Sequence, residues 1–174
     1  NQLTDVKGLE KLTPLKTLVL SGNQLTDVPK ELEKLTQLTF LHLSGNQLTS
    51  VKGLEKLTKL KQLYLGNNQL TDVKGLEKLT QLMTLELNGN QLTEAPEGLE
   101  KLTQLTYLNL KNNPDLYKVQ IDELQKALPK CQILHNAKLS KEGSAKVIEA
   151  AIRRAAKRAV RKPEGELTKA DLEK

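Results

Sequence analysis

Leu60-Lys61-Gln62-Leu63-Tyr64-Leu65-Gly66-Asn67-Asn68-Gln69-Leu70 has the form L-x-x-L-x-L-x-x-N-x-L, and the same frame starts at Leu15, Leu38, Leu82 and Leu105. Around it, Asn-Gln-Leu-Thr begins at Asn1, Asn23, Asn46, Asn68 and Asn90, and Asn113-Pro114-Asp115-Leu116 closes the series. Successive asparagines lie 22, 23, 22, 22 and 23 residues apart. A fixed period of this size marks a stacked-repeat architecture. Both 23-residue units carry a proline, Pro29 or Pro96, where the others read Val-Lys-Gly-Leu, so one residue inserted in a turn accounts for the difference.

Period-2 alternation within the frame puts Leu63 and Leu65 on one face and Gln62, Tyr64 and Gly66 on the other, which predicts one short strand per repeat. Such strands stack as a parallel sheet. The return path Leu70, Val73, Leu76 and Leu79 has three-residue spacing, which suits short 3₁₀ or irregular turns pointing inward. Each repeat then buries a leucine layer that it cannot cover alone, and stacking completes the core. Composition agrees: 37 of the 174 residues are leucine, more than half of the 37% hydrophobic fraction. The asparagine column of Asn23, Asn46, Asn68, Asn90 and Asn113 falls where the chain leaves the strand. It is expected to be a structural ladder that bonds backbone groups left unpaired by the turn, rather than a set of ligands.

These frames resemble the leucine-rich repeat family, and the short units are similar to those of its bacterial, internalin-like members. The likeness covers roughly Asn1 to His135. It implies an α/β solenoid with a curved parallel sheet on the concave face and 3₁₀ or irregular turns on the convex face. Residues 1–117 are assigned to the repeats, a partial first repeat plus five that bear strands. Residues 118–135 are assigned to a C-terminal cap. There Val119, Ile121, Leu124, Ala127 and Leu128 have helical spacing, Pro129 stops the helix, and Lys130 to Leu134 alternates like a last strand. The sequence Leu-Pro-Lys-Cys-x-Ile after a helix is similar to the closing unit of some bacterial family members.

Residues 136–143 read as a linker and 144–174 as a basic amphipathic helix with a cap-like tail. Val147, Ile148, Ala151, Ile152, Ala155 and Ala159 share one stripe, and Arg153, Arg154, Lys157 and Arg161 lie largely opposite. Lys162-Pro163-Glu164-Gly165 followed by Leu167-Thr168-Lys169-Ala170-Asp171-Leu172 resembles the cap that precedes the first strand in internalin-like proteins, yet here it follows the repeats. Three arrangements fit: a piece of a longer tandem protein, a circular permutation, or a tail that caps the open layer of Leu3, Val6, Leu9 and Leu12 in a neighbouring copy. The last would give head-to-tail self-association. The near-identity of the repeats suits recent duplication and consensus design equally.

The net charge is +6, and residues 136–174 hold 11 basic against 6 acidic side chains. The basic helix is read as the solvated face of a capping element, with anion binding (nucleic acid or acidic lipid) as the alternative. Nucleic acid is disfavoured because the aromatics that accompany single-strand binding are absent from that segment.

Comparison of repeats within the chain separates what stacking requires from what it leaves open. Leu-Glu-Lys-Leu-Thr recurs at Leu9, Leu32, Leu54, Leu76 and Leu99, whereas the outward strand positions vary. One column reads Thr17, Phe40, Gln62, Thr84, Tyr107, the next Val19, His42, Tyr64, Glu86, Asn109, and the third Ser21, Ser44, Gly66, Asn88, Lys111. Three of the four aromatics occupy these positions. The expected binding surface is therefore concave and contains Phe40, His42, Gln62, Tyr64, Thr84, Glu86, Tyr107 and Asn109. Its expected partner is a protein or peptide.

Catalysis finds little support. Cys131 and His135 are the one nearby pair of nucleophile and base, without an orienting third group. Cys131 reads as a small buried cap residue. The repeated Glu-Lys steps read as ordinary surface solvation. No phosphate-binding glycine loop, zinc-protease motif or C-x-x-C is present, so no cofactor, metal or catalytic residue is expected. One cysteine excludes an intramolecular disulfide, and no run of about 18 apolar residues could span a membrane. Asn1 to Asp5 is not a signal peptide, which leaves cytoplasm, or export with a missing signal, as the compartment.

Overall fold

A computed structural model describes residues 2–4 and 6–138. The basic helix, its Arg153, Arg154, Lys157 and Arg161, and the cap-like tail lie outside the described residues. Each repeat contributes three strand residues: β1 Thr17–Val19, β2 Phe40–His42, β3 Gln62–Tyr64, β4 Thr84–Glu86, β5 Tyr107–Asn109 and, from the cap, β6 Gln132–Leu134. They form one six-stranded, wholly parallel sheet in sequential order. Register is unbroken, so Phe40, Gln62, Thr84, Tyr107 and Gln132 align in one row and His42, Tyr64, Glu86, Asn109 and Leu134 in the next. Just past each strand the ladder continues, with Leu43 N donating to Tyr64 O and Leu65 N to Glu86 O, both at 2.8 Å.

The leucines behind the sheet are fully enclosed. Leu41, Leu43, Leu63, Leu65, Leu85 and Leu87 meet Leu54, Leu57, Leu76 and Leu79 of the return segments, all with no solvent exposure. At about 1.5–3 kcal/mol for each fully buried leucine, this column is the main source of stability. Strand ladders hold repeats about 4.8 Å apart while the turns opposite need more width, and the sheet takes the inside of the curve.

The turns are 3₁₀ at Leu9–Lys11, Leu54–Lys56, Leu76–Lys78 and Leu99–Lys101, each entered through a glycine with φ between +95° and +103°. This left-handed geometry is open to glycine without strain. Here the glutamates of the Gly-Leu-Glu steps correct the reading of simple solvation. Glu55 Oε2 accepts from Gly53 N at 2.6 Å and Glu77 Oε2 from Gly75 N at 2.7 Å, with the same bond at Gly8–Glu10 and Gly98–Glu100. Each carboxylate thus satisfies a donor that the short turn leaves free.

The two inserted residues are absorbed differently. After Pro29 the helix lengthens to Lys30–Lys34 and needs no glycine, because Pro29 enters with φ −57°. Glu33, released from turn capping, forms an ion pair with Lys56 of the next repeat. After Pro96 the turn keeps Gly98 and its three-residue helix.

The cap consists of α1, Lys118–Ala127, and β6. Its buried face is Gln120, Ile121 and Leu124; Val119 is half-buried and Ala127 exposed, unlike the stripe expected from spacing. Gln120 faces inward because its Oε1 accepts from Tyr117 N at 3.0 Å, a reciprocal cap for the helix start. Gln125 Nε2 donates to Leu128 O and Cys131 O, closing the other end. Asn136 bonds Asn112, and Lys138 bridges Tyr117, so ordered pairing reaches Lys138.

Candidate binding surface

Because β-strands alternate, the layer that buries Leu41, Leu63, Leu85 and Leu108 turns their neighbours outward, and register sets those neighbours side by side. Phe40, His42 and Tyr64 meet as a ring cluster. Their centroids lie 5.3 Å apart for Phe40–Tyr64, 5.1 Å for His42–Tyr64 and 6.4 Å for Phe40–His42, the last edge-to-face. Tyr64 Oη donates to Gln62 Oε1 at 3.3 Å. Further along, Asn109 Nδ2 donates to Glu86 Oε2 at 3.4 Å. Thr84 lies between Gln62 and Tyr107 in its row. Burial pushes the Tyr107 hydroxyl above its usual range, and the charges of Glu86 and Tyr64 add to this. All eight residues expected on this face are solvent-accessible: Gln62 exposed and the other seven half-buried.

Two further side chains border the eight: Val19, already among the outward columns, and Met83. Val19, 57% exposed, aligns with His42 and extends the apolar end of the face. Met83, 45% exposed, precedes β4. Its place between the inward-facing Leu18 and Leu20 turns Val19 outward.

The asparagines lie behind this surface. Asn68 Nδ2 donates to Leu43 O at 3.1 Å and Leu65 O at 3.0 Å, while its Oδ1 accepts from Leu48 N at 3.0 Å. Asn46, Asn90 and Asn113 repeat the pattern one layer apart; Asn23 accepts from Leu3 N and donates to Leu20 O. All five are buried, with their capacity used on backbone.

Cys131 and His135 do not hydrogen-bond each other. The buried thiol meets Gln132 O at 3.8 Å and is pushed up to about 11 by burial, while His135 Nδ1 accepts from Ala137 N. Among the described residues no group of three His, Cys, Asp or Glu could hold a metal ion, and no helix is long and apolar enough to cross a membrane.

A one-dimensional stack of leucine layers with an accessible, non-uniform sheet face defines a scaffold of the solenoid class. The chain belongs to the leucine-rich repeat family: the family's leucine-rich repeat models match residues 2–48, 58–114 and 36–78. It is similar in structure to a leucine-rich repeat protein of Leptospira interrogans, with TM-score 0.71 and 39% identity over 76% of this chain and 34% of that one. It is also similar to two internalins of Listeria monocytogenes. For internalin F the TM-score is 0.63 with 28% identity, over 80% of this chain and 47% of that one. For internalin C2 it is 0.60 with 28% identity, over 81% and 71%. The chain thus spans about a third to a half of the first two proteins. No curated protein sequence matches it. Members of this family are typically binding scaffolds without catalytic activity, and their repeats generally bind proteins.

Proposed function

We propose that the chain is a non-enzymatic recognition module that binds a protein, or a peptide segment of one, through the outer face of β1–β5. The observation that carries this reading is the Phe40–His42–Tyr64 cluster, three rings in mutual contact on an accessible sheet face. Aromatic anchors within a polar surround are the usual energetic centre of protein interfaces. Variation concentrated on this face, against near-constant return segments, supports the same reading. The test is a protection map. A partner recovered on the immobilised full chain should slow amide exchange of β2–β4 and leave the 3₁₀ turns unchanged; protection confined to the turns would discard the proposal.

A second reading, association of copies end to end, is favoured by the exposure of Leu3 (46%) and Leu12 (49%) at the first layer. Light scattering over a concentration series separates the two, since a strict monomer at high concentration removes self-association. A third, anion binding by the basic segment 144–174, is distinguished by salt: such affinity falls steeply as salt rises, whereas an aromatic-centred contact changes little.

A further inference from the structure

The sheet face changes chemistry along its length. One end carries Val19, Phe40, His42 and Tyr64. Two strands beyond β2 stands Glu86, the sole carboxylate among the fifteen outward positions of β1–β5 and the residues that follow them. Its neighbours in register are Tyr64 and Asn109, and its charge reaches the Tyr107 hydroxyl. The hydrogen bond it accepts, from Asn109 at 3.4 Å, is long. Among the described residues no lysine or arginine lies within ion-pair distance of it, although Lys111 occupies an outward position one strand over. Glu86 is half-buried. Its carboxylate keeps part of its surface open to a donor from a partner, and Lys111 is the one lysine among the outward positions. A guanidinium placed there would gain a charge-assisted bond to the carboxylate and the attraction of the flanking tyrosine rings.

We propose that the partner bound by this face presents an apolar side chain to Phe40, His42 and Tyr64 and an arginine to Glu86 between Tyr64 and Tyr107. The inference rests on the reading of the sheet face as the binding surface. Two strand spacings separate the subsites by about 10 Å, which about three residues of extended chain cover. Arginine fits better than lysine because its planar fork can bond the carboxylate and stack on a ring together.

Three short peptides test this, each with a leucine followed about three residues later by arginine, citrulline or glutamate, titrated into the isotopically labelled full chain and followed by amide NMR shifts. The arginine peptide should move the signals of Tyr64, Glu86 and Tyr107. Its affinity should exceed that of the citrulline peptide by about fivefold or more, and Glu86→Gln should remove that difference while the rest of the spectrum stays in place. Glu86→Lys should reverse the preference toward the glutamate peptide. Equal affinities for arginine and citrulline, with shifts still at Phe40 and Tyr64, would overturn the arginine subsite and leave the sheet-face reading standing. Shifts absent from the sheet face with every peptide would overturn both.

Discussion

At the scale of the residue, two side-chain types decide whether this stack closes. A leucine contributes through area, and any large apolar group of similar volume could replace it at modest cost. An asparagine of the ladder contributes through geometry, because one side chain answers carbonyls in two successive repeats and an amide in a third position. Asn68→Ala would leave Leu43 O, Leu65 O and Leu48 N without that partner in a buried site. At about 1–3 kcal/mol for a buried group left unsatisfied, the urea midpoint should fall by the equivalent of about 2–4 kcal/mol. A midpoint equal to that of the unaltered chain would show that water replaces the side chain without loss. Cys131 gives a second check. With its thiol raised to about 11 by burial, thiolate is scarce at pH 8. Labelling by a disulfide reagent should be slow in the folded chain and fast in denaturant, and equal rates would place the thiol at the surface.

At the scale of the element, strands and turns differ in how far sequence alone discloses them. The strand is written in two adjacent residue classes, so Leu63 and Leu65 announce an inward face whatever else surrounds them. The turn depends on a side chain folding back on a donor two residues earlier, which exists only once Gly53 or Gly75 has adopted its positive φ. Glu55 and Glu77 therefore read as surface charges until the backbone is seen. For the same reason the apolar spacing of α1 does not disclose Gln120 on its inward face, whose burial goes with a bond to Tyr117 N. The carboxyl of Glu55 is held below its usual range by its own backbone N–H, then Gly53 N, with Lys78 and Lys56 assisting against partial desolvation. A carboxyl depressed in the folded state adds stability above its unfolded value, near pH 4–4.5, and that contribution is lost as pH falls through the folded value. Urea midpoints should therefore decline more between pH 5 and about pH 3 in the unaltered chain than in Glu55→Gln. Parallel curves would remove this turn from the acid response.

At the scale of the whole molecule, each layer touches only its neighbours, and stability should grade along the stack. Leu63 is wholly enclosed, whereas Leu18 of the first strand is 9% exposed. Native-state hydrogen exchange should be slowest in β3 and β4 and faster in β1; uniform protection would mean that the array unfolds only as a unit. The same layering explains what is legible in the sequence about the proposed binding face. Its location followed from which columns vary, since stacking fixes the others. The contacts among Phe40, His42 and Tyr64 did not, because they depend on exact register between strands 22 residues apart. Recognition through that face is tested most directly by calorimetric titration of the captured partner into the full chain and into Tyr64→Ala. A loss of about 1–3 kcal/mol of binding free energy with an unchanged unfolding midpoint is expected, and an undiminished affinity would contradict it.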